Sequence, residues 1–302
     1  PLRRQRQMCI RDRLMAVKCK TIFFFSIVIS IGMFAPKAAI ADCLGDKAVK
    51  PIKAYIVPQL TATQTYTQWA PVLDRVGKSA ELCFDLVVPA TIPQFEADLA
   101  NGRPDFVFMN PYHVVMKWRE HQYVPLVASS EPIFGVLTVK KDSKYISLQD
   151  LSNGKIAFPA PNSFAASLLI RSLLANNGIQ FEPVYVKTHS NVYRSVVRGD
   201  IAVAGGGIES TLLAEPNELK DELRVLVETK RYTSHPFSAN ARIPKVTQER
   251  VQTAFLALAK TPDGAELLSR IQLAKPMAVS YKANYQALEG LKLDQYVVRS
   301  AD

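Results

Sequence analysis

From Lys53 onward the chain alternates between apolar runs of strand type and segments whose apolar residues recur at helical spacing. KAYIVPQL reads as a strand, QTYTQWAPVLDRVGK as a helix with a glycine near its end, and FDLVVP as a strand. IPQFEADLANG then reads as a helix stopped by Gly102, and PDFVFMNP as a strand. A second series follows: FGVLTVKK, LQDLSNGKIAFP, a helix from Phe164, PVYVKT, the helix SNVYRSVVRG and DIAVAGGG. Such alternation predicts βαβ units and a parallel or mixed sheet covered by helices. After RVLVETKRY and SHPFSANARIP come two helices, VTQERVQTAFLALAK and PDGAELLSRI, too late to extend the second series. The chain is therefore expected to cross into a second lobe near residues 130–134 and return near 233–238. Lobe one then comprises residues 42–131 and 238–302, lobe two residues 132–237, and the two crossings make a hinge.

The first 41 residues stand apart from this pattern. Met15 opens a short basic segment with Lys18 and Lys20, followed by the apolar run TIFFFSIVISIGMF and then Ala39-Ile40-Ala41, the small-x-small pattern of a signal-peptidase site. Residues 15–41 are expected to be a cleaved signal peptide, since the apolar run is short for a bilayer-spanning helix. Residues 1–14 are expected to be a non-native leader. The expected location is periplasmic.

Removing this segment changes the electrostatic picture. The formal charge of the whole chain is +10, but residues 1–41 hold eight Lys or Arg and one Asp, leaving 29 basic and 26 acidic residues and a charge of +3. A nucleic-acid partner loses its main support. The remaining cysteines are Cys43 and Cys83, and a lone pair in an exported protein favours one disulfide. It would close a 41-residue loop, worth about 4 kcal/mol on the chain-entropy model. Asp42 argues against lipidation of Cys43, because a small residue is expected just before a lipidated cysteine. About 260 residues suit two lobes better than one core.

Candidate chemistry gathers where strands give way to helices, the place ligands collect in such sheets. Four such ends carry small polar residues: 61–66 with Thr63, the run Asn110-Pro111-Tyr112-His113, 162–166, and Thr188-His189-Ser190-Asn191. In FPAPNSFAASLLIRSLL, Asn162 or Ser163 occupies the N-cap, ahead of Phe164, Ala165 and Ala166. Free N–H groups and a positive dipole end make a helix start an anion site without metal or lysine. Ser163 therefore either caps its own helix or serves a bound anion. The triple glycine of DIAVAGGG offers bare backbone, for close approach of a ligand or for a tight turn.

Enzyme signatures are absent from the sequence. His113, His121, His189 and His235 are scattered, with no HExxH or CxxC spacing, and neither a GxSxG elbow nor a GxxxxGK loop occurs. No catalytic residue, metal ligand or cofactor is expected.

The order FVFMNPYHVV, VKKDSKYISLQDLSNGKIAFPAPNSFAAS, THSNVYRSVVRGDIAVAGG, HPFSANARIP and TPDGAELL resembles the phosphonate/phosphate-type (PhnD-like) substrate-binding proteins of ABC transporters, over about Lys53 to Tyr285. The resemblance implies a two-lobed α/β periplasmic binding protein (type II-like), with mixed sheets, helices on both faces and a two-stranded hinge. It implies a non-enzymatic, monomeric protein that captures a small oxyanion of the phosphate, phosphite or phosphonate class for an ABC permease. The same capture would serve a second role, ligand sensing for a membrane signalling partner. In that family a strand-end tyrosine, a serine-rich helix start and a histidine surround the phosphoryl oxygens; by position these are Tyr112, with Asn110 or His113 as alternatives, Ser163 and His189. The chain departs from the family pattern at Ala165 and Ala166, where a second hydroxyl and a glycine are common, and at Ala202, where an aspartate is common. The missing carboxylate argues against a zwitterionic phosphonate.

Overall fold

The structure is a computed structural model and describes residues 43–121 and 123–298. The expected leader and signal peptide lie outside the described residues. Among the described residues, no helix is long and apolar enough to cross a membrane.

The first lobe begins with β1 (Leu44–Gly45), β2 (Pro51–Ile56), α1 (Ala62–Ala80), β3 (Cys83–Val87), α2 (Ile92–Ala100), β4 (Phe106–Phe108), α3 (Pro111–His121) and β5 (Val124–Ser129). The second holds β6 (Gly135–Lys140), β7 (Gly154–Phe158), a π-helical turn Phe164–Leu169 continuing into α4 (Ile170–Asn176), β8 (Phe181–Tyr185), α5 (His189–Arg198), β9 (Ala204–Ile208), α6 (Glu209–Leu213), α7 (Asn217–Lys220) and β10 (Leu223–Glu228). The chain then returns through β11 (Phe237–Ala239), α8 (Lys245–Leu258), α9 (Pro262–Arg270) and β12 (Pro276–Ala278).

Two mixed sheets result, ordered β1-β3-β2-β4-β11-β5-β12 and β10-β6-β9-β7-β8. In the first, β3, β2 and β4 run parallel, while β11 inserts antiparallel between β4 and β5. The second sheet is apolar on both faces. Leu137, Ile156, Phe158, Ile170 and Leu174 pack on one side, and Ala157, Val192, Tyr193 and Val196 on the other. The segments joining the sheets pair through reciprocal backbone bonds between Ile133 and Tyr232, at 2.8 and 2.9 Å, which makes the two-stranded hinge.

Local signals explain most helix ends. Thr61 opens α1 with a capping box: its hydroxyl accepts from the Gln64 N–H and the Gln64 side chain accepts from the Thr61 N–H. Gly199, at φ 69°, closes α5 in the left-handed conformation. Glycines at two sites act otherwise than their local context suggests. Gly77 does not end α1, which runs on to Ala80; a Cβ there would lie 2.8 Å from the Gly45 Cα, so the residue lets β1 press against the helix. The triple glycine makes no tight turn but forms the centre of the buried strand β9. A Cβ on Gly206 would stand 2.2 Å from the Ala166 carbonyl oxygen, and one on Gly135 would stand 2.2 Å from that of Ala165. The helix beginning at Phe164 therefore lies with its backbone directly on β6 and β9.

Cys43 and Cys83 are joined as a disulfide, with Cα atoms 5.5 Å apart, as their isolation in the sequence predicts.

Candidate functional site

Two helix starts from opposite lobes meet between the sheets. On the first lobe, β4 ends at Phe108 and the Asn110 side chain caps α3, its Oδ1 accepting from the His113 N–H at 2.9 Å. On the second, β7 ends at Phe158, and the first backbone bonds after the turn run from the Ser167 and Leu168 N–H groups to the Ser163 carbonyl, at 3.0 and 2.9 Å. The N–H groups of Phe164, Ala165 and Ala166 precede these bonds and have no acceptor inside the helix. The Ser163 side chain makes no capping hydrogen bond, so the self-capping alternative finds no support in its geometry. The Ser167 hydroxyl, in the first turn, donates to Pro161 O at 2.9 Å and so ties the helix to the preceding turn.

Asn162 does not cap the helix either; it ties the lobes together. Its Nδ2 donates to both Glu96 carboxylate oxygens at 3.2 Å and to Val298 O at 3.0 Å, while its Oδ1 accepts from the Val298 N–H at 3.0 Å. The Asn110 Nδ2 donates to Asn162 O at 3.3 Å. Asn110 thus caps one helix start while holding the residue ahead of the other. Glu96 also meets His113 Nε2 at 3.0 Å, and the buried His113 Nδ1 has no partner.

Histidines scattered in sequence converge here. His235, on the return connector, is buried, stacks on Phe108 with ring centroids 5.5 Å apart, and meets the Gln59 amide at 3.1 Å. Burial pushes its pKa down to about 3, and the charges of His113 and His189 push in the same direction, which places all three within electrostatic reach. His189, half-buried at the first position of α5, is lowered to about 4 by desolvation. Its Nδ1 lies 3.3 Å from Thr211 Oγ1, which in turn touches the Tyr193 hydroxyl at 2.8 Å. Burial raises the Tyr193 pKa to about 12, so that phenol stays protonated. Among the described residues, no group of three or more His, Cys, Asp or Glu is placed to hold a metal ion.

The residues picked out by sequence fall unevenly. Asn110 and Ser163 are brought together through Asn162, and Tyr112 is buried beside His113, ring centroids 6.0 Å apart. Phe164, Ala165 and Ala166 are buried as well, Phe164 edge-on to Tyr232 of the hinge. Thr63 is exposed in the first turn of α1, its carbonyl accepting from the Thr67 hydroxyl, and among the described residues no hydrogen bond links it to the other candidates. Sequence reading missed Glu96, Gln59, Tyr193, Thr211 and His235. Of these His235 carried a signal, since it lies at the expected return between lobes.

The two depressed histidines predict a pH effect with a definite sign. Unfolded histidines take up protons below their usual value near 6.5, whereas the folded ones stay neutral until about 4 and 3. Their stabilising contribution is therefore complete above about pH 6.5 and is lost as pH falls toward 3. Urea titrations are expected to give an unfolding free energy lower at pH 4.5 than at pH 7.5, with roughly 3 kcal/mol of the loss absent from His235→Gln. Equal losses in parent and variant would show that His235 is not held neutral.

A family model described as ABC transporter, phosphonate, periplasmic substrate-binding protein matches residues 54–285. No curated protein sequence matches the chain. Among solved structures, XAC2383 from Xanthomonas citri bound to chloride ion is similar with a TM-score of 0.71 at 18% identity, covering 82% of this chain and 99% of that one. PhnD1 from Prochlorococcus marinus in complex with methylphosphonate gives 0.70 at 14%, covering 82% and 99%. A binding protein component of an ABC phosphonate transporter from Pseudomonas aeruginosa gives 0.67 at 13%, covering 82% and 87%. At these identities the likeness establishes a shared fold.

Proposed function

The chain belongs to the phosphonate substrate-binding family of ABC transporters, a periplasmic, non-enzymatic class, and from that premise we propose that it captures a small phosphorus oxyanion, phosphate, phosphite or phosphonate, for a membrane permease. It does so as a monomer whose lobes, residues 42–131 with 238–302 and residues 132–237, close about the paired hinge. Support comes above all from the two facing helix starts, tied by Asn110 and Asn162, whose N–H groups and dipoles favour negative charge. Ser163, Tyr112 and His189 supply side-chain contacts around them, with Asn110 and the N–H groups of Phe164, Ala165 and Ala166. Thr63 joins the rim from α1.

A thermal-shift panel of phosphate, phosphite, alkylphosphonates, sulfate and small carboxylates tests this. A phosphorus oxyanion at a hundredfold excess over Kd should stabilise the protein by about 2.7 kcal/mol. No response to any of the panel would count decisively against the reading. Ser163→Ala then tests the helix start. Losing a hydroxyl donor to a charged ligand costs about 1.5 to 3 kcal/mol, a tenfold to hundredfold weaker Kd. The empty protein should melt nearly as before, because the Ser163 side chain makes no cap bond.

A further inference from the structure

The side-chain amide of Asn162 is fully used, and its partners do not belong to its own lobe. Its two Nδ2 protons serve Val298 O at 3.0 Å and the Glu96 carboxylate at 3.2 Å, and its Oδ1 accepts from the Val298 N–H at 3.0 Å. A carbonyl and a carboxylate accept while an N–H donates, so this orientation of the amide satisfies all three partners and the flipped one satisfies none. Asn162 is buried, which shields these bonds from competing water.

Glu96 stands on α2 of the first lobe, whereas Val298 ends a segment that changes lobes. Residues 281–291 are held on the first lobe. Tyr281 stacks on Trp118 of α3 with ring centroids 4.4 Å apart, and Glu289 pairs with Arg119 of α3 at 2.6 Å. The buried Tyr285 hydroxyl donates to Ser234 O, on the return connector, at 2.9 Å. Lys292 then turns the chain in the left-handed conformation, at φ 48°. The helical turn Leu293–Tyr296 lies against the π-helical turn Phe164–Leu169 and against α4 of the second lobe. Leu293 is buried in the same apolar cluster as Phe164, Leu168 and Leu169.

Residues 293–298 thus make a third crossing between the lobes, held to the second lobe without covalent continuity. If the strap follows the second lobe when the lobes part, Asn162 must leave Glu96 and Asn110. If it stays with the first, Asn162 must leave Val298. We propose that the strap and Glu96 form a latch on Asn162 that holds the lobes together, which makes Asn162 a positioning residue that sets affinity through the closed population without touching the ligand. The effect on affinity rests on the oxyanion reading above; the latch itself does not. Because its bonds join protein groups only, the latch favours closure with or without an anion. A ligand must wait for release to enter and is retained once inside. Loosening the latch therefore speeds association as well as dissociation, whereas loss of a ligand contact speeds dissociation alone.

Two variants test this in the full chain. Asn162→Ala removes the amide, and Val298→Pro deletes only the N–H that Asn162 Oδ1 accepts. Val297, at φ −72° and ψ 130°, already has the backbone that a residue before proline adopts. Small-angle X-ray scattering without added anion is expected to give Asn162→Ala a larger radius of gyration than the parent, with Val298→Pro between them. Stopped-flow tryptophan fluorescence with methylphosphonate and with inorganic phosphate is expected to show faster association and faster dissociation in Asn162→Ala. Kd should weaken about tenfold, as the closed population falls to about a tenth. Equal radii in parent and Asn162→Ala, or slower association by the variant, would overturn the proposal while leaving the oxyanion reading intact. A larger radius in Asn162→Ala, with neither anion bound by parent or variant, would support the latch and refute the oxyanion reading. Should Asn162→Ala fail to fold, Val298→Pro carries the same comparisons, and a radius equal to that of the parent would overturn the latch.

Discussion

Gly206→Val is expected to lower the unfolding free energy by at least about 4 kcal/mol, the range reached only by severe core lesions. A Cβ at this position meets the Ala166 carbonyl oxygen at 2.2 Å and two atoms of the Phe158 ring at 2.7 Å. Neither neighbour is the far end of a flexible chain. The carbonyl belongs to the first turn of the helix that begins at Phe164, and Phe158 is fully buried in the second sheet. Relief requires that helix to lift from β9, which opens cavities among Phe164, Leu168 and Leu169 as it moves. The same displacement shifts the N–H groups assigned to the ligand, so affinity and stability should fall together. For a chain of this size the melting temperature would drop by roughly 10 °C. Gly290→Ala is the control, because a Cβ there meets nothing within 4 Å; it should change stability by less than about 0.5 kcal/mol. Differential scanning calorimetry of both variants decides the matter, and a Gly206→Val protein as stable as the parent would contradict the close packing of helix on strand.

Removing the disulfide is expected to cost a similar amount by a different route. Cys83→Ser, made together with Cys43→Ser, frees a 40-residue separation that the bond closes, worth about 4 kcal/mol on the chain-entropy model. Native contacts around the bond persist in part: Gly45 N donates to Asp74 Oδ1 at 3.2 Å, and β1 pairs with β3. The loss should therefore come chiefly through the unfolded chain. Its signature differs from that of Gly206→Val. β1 is the edge strand, separated from β4 by β3 and β2, so oxyanion affinity at a temperature where the variant is folded should match that of the parent. Denaturant midpoints with and without reductant, beside a binding titration, separate the two effects. A reduced protein that unfolds at the same midpoint as the oxidised one would refute the expectation.

The lobes and the hinge were legible because their signals are local or simply counted. Apolar runs bounded by turns gave the strands, and the polar residues at 61–66 and at Thr188 mark helix starts that the structure shows capped by Thr61 and Thr188. Two cysteines remaining beyond the leader left one pairing to consider. The three-residue strands β11 and β12 gave no readable period, and their place in the first sheet depends on pairing with β4 and β5 more than a hundred residues away in sequence.

The candidate site divides along the same line. By itself the sequence determined that helices begin near Asn110, Ser163 and His189, because capping chemistry and helical spacing act within a few residues. Tertiary structure alone decided that Asn162 reaches Glu96 and Val298, that Asn110 holds the turn before Ser163, and that His113, His189 and His235 share one electrostatic environment. It also set the triple glycine, which by sequence could as well make a tight turn, in the middle of a buried strand, where the approach of Ala166 on one side and Tyr193 on the other excludes a side chain. These facts come from groups 52, 66 and 136 residues apart, and a pattern confined to neighbours along the chain carries no record of which distant surface it will meet.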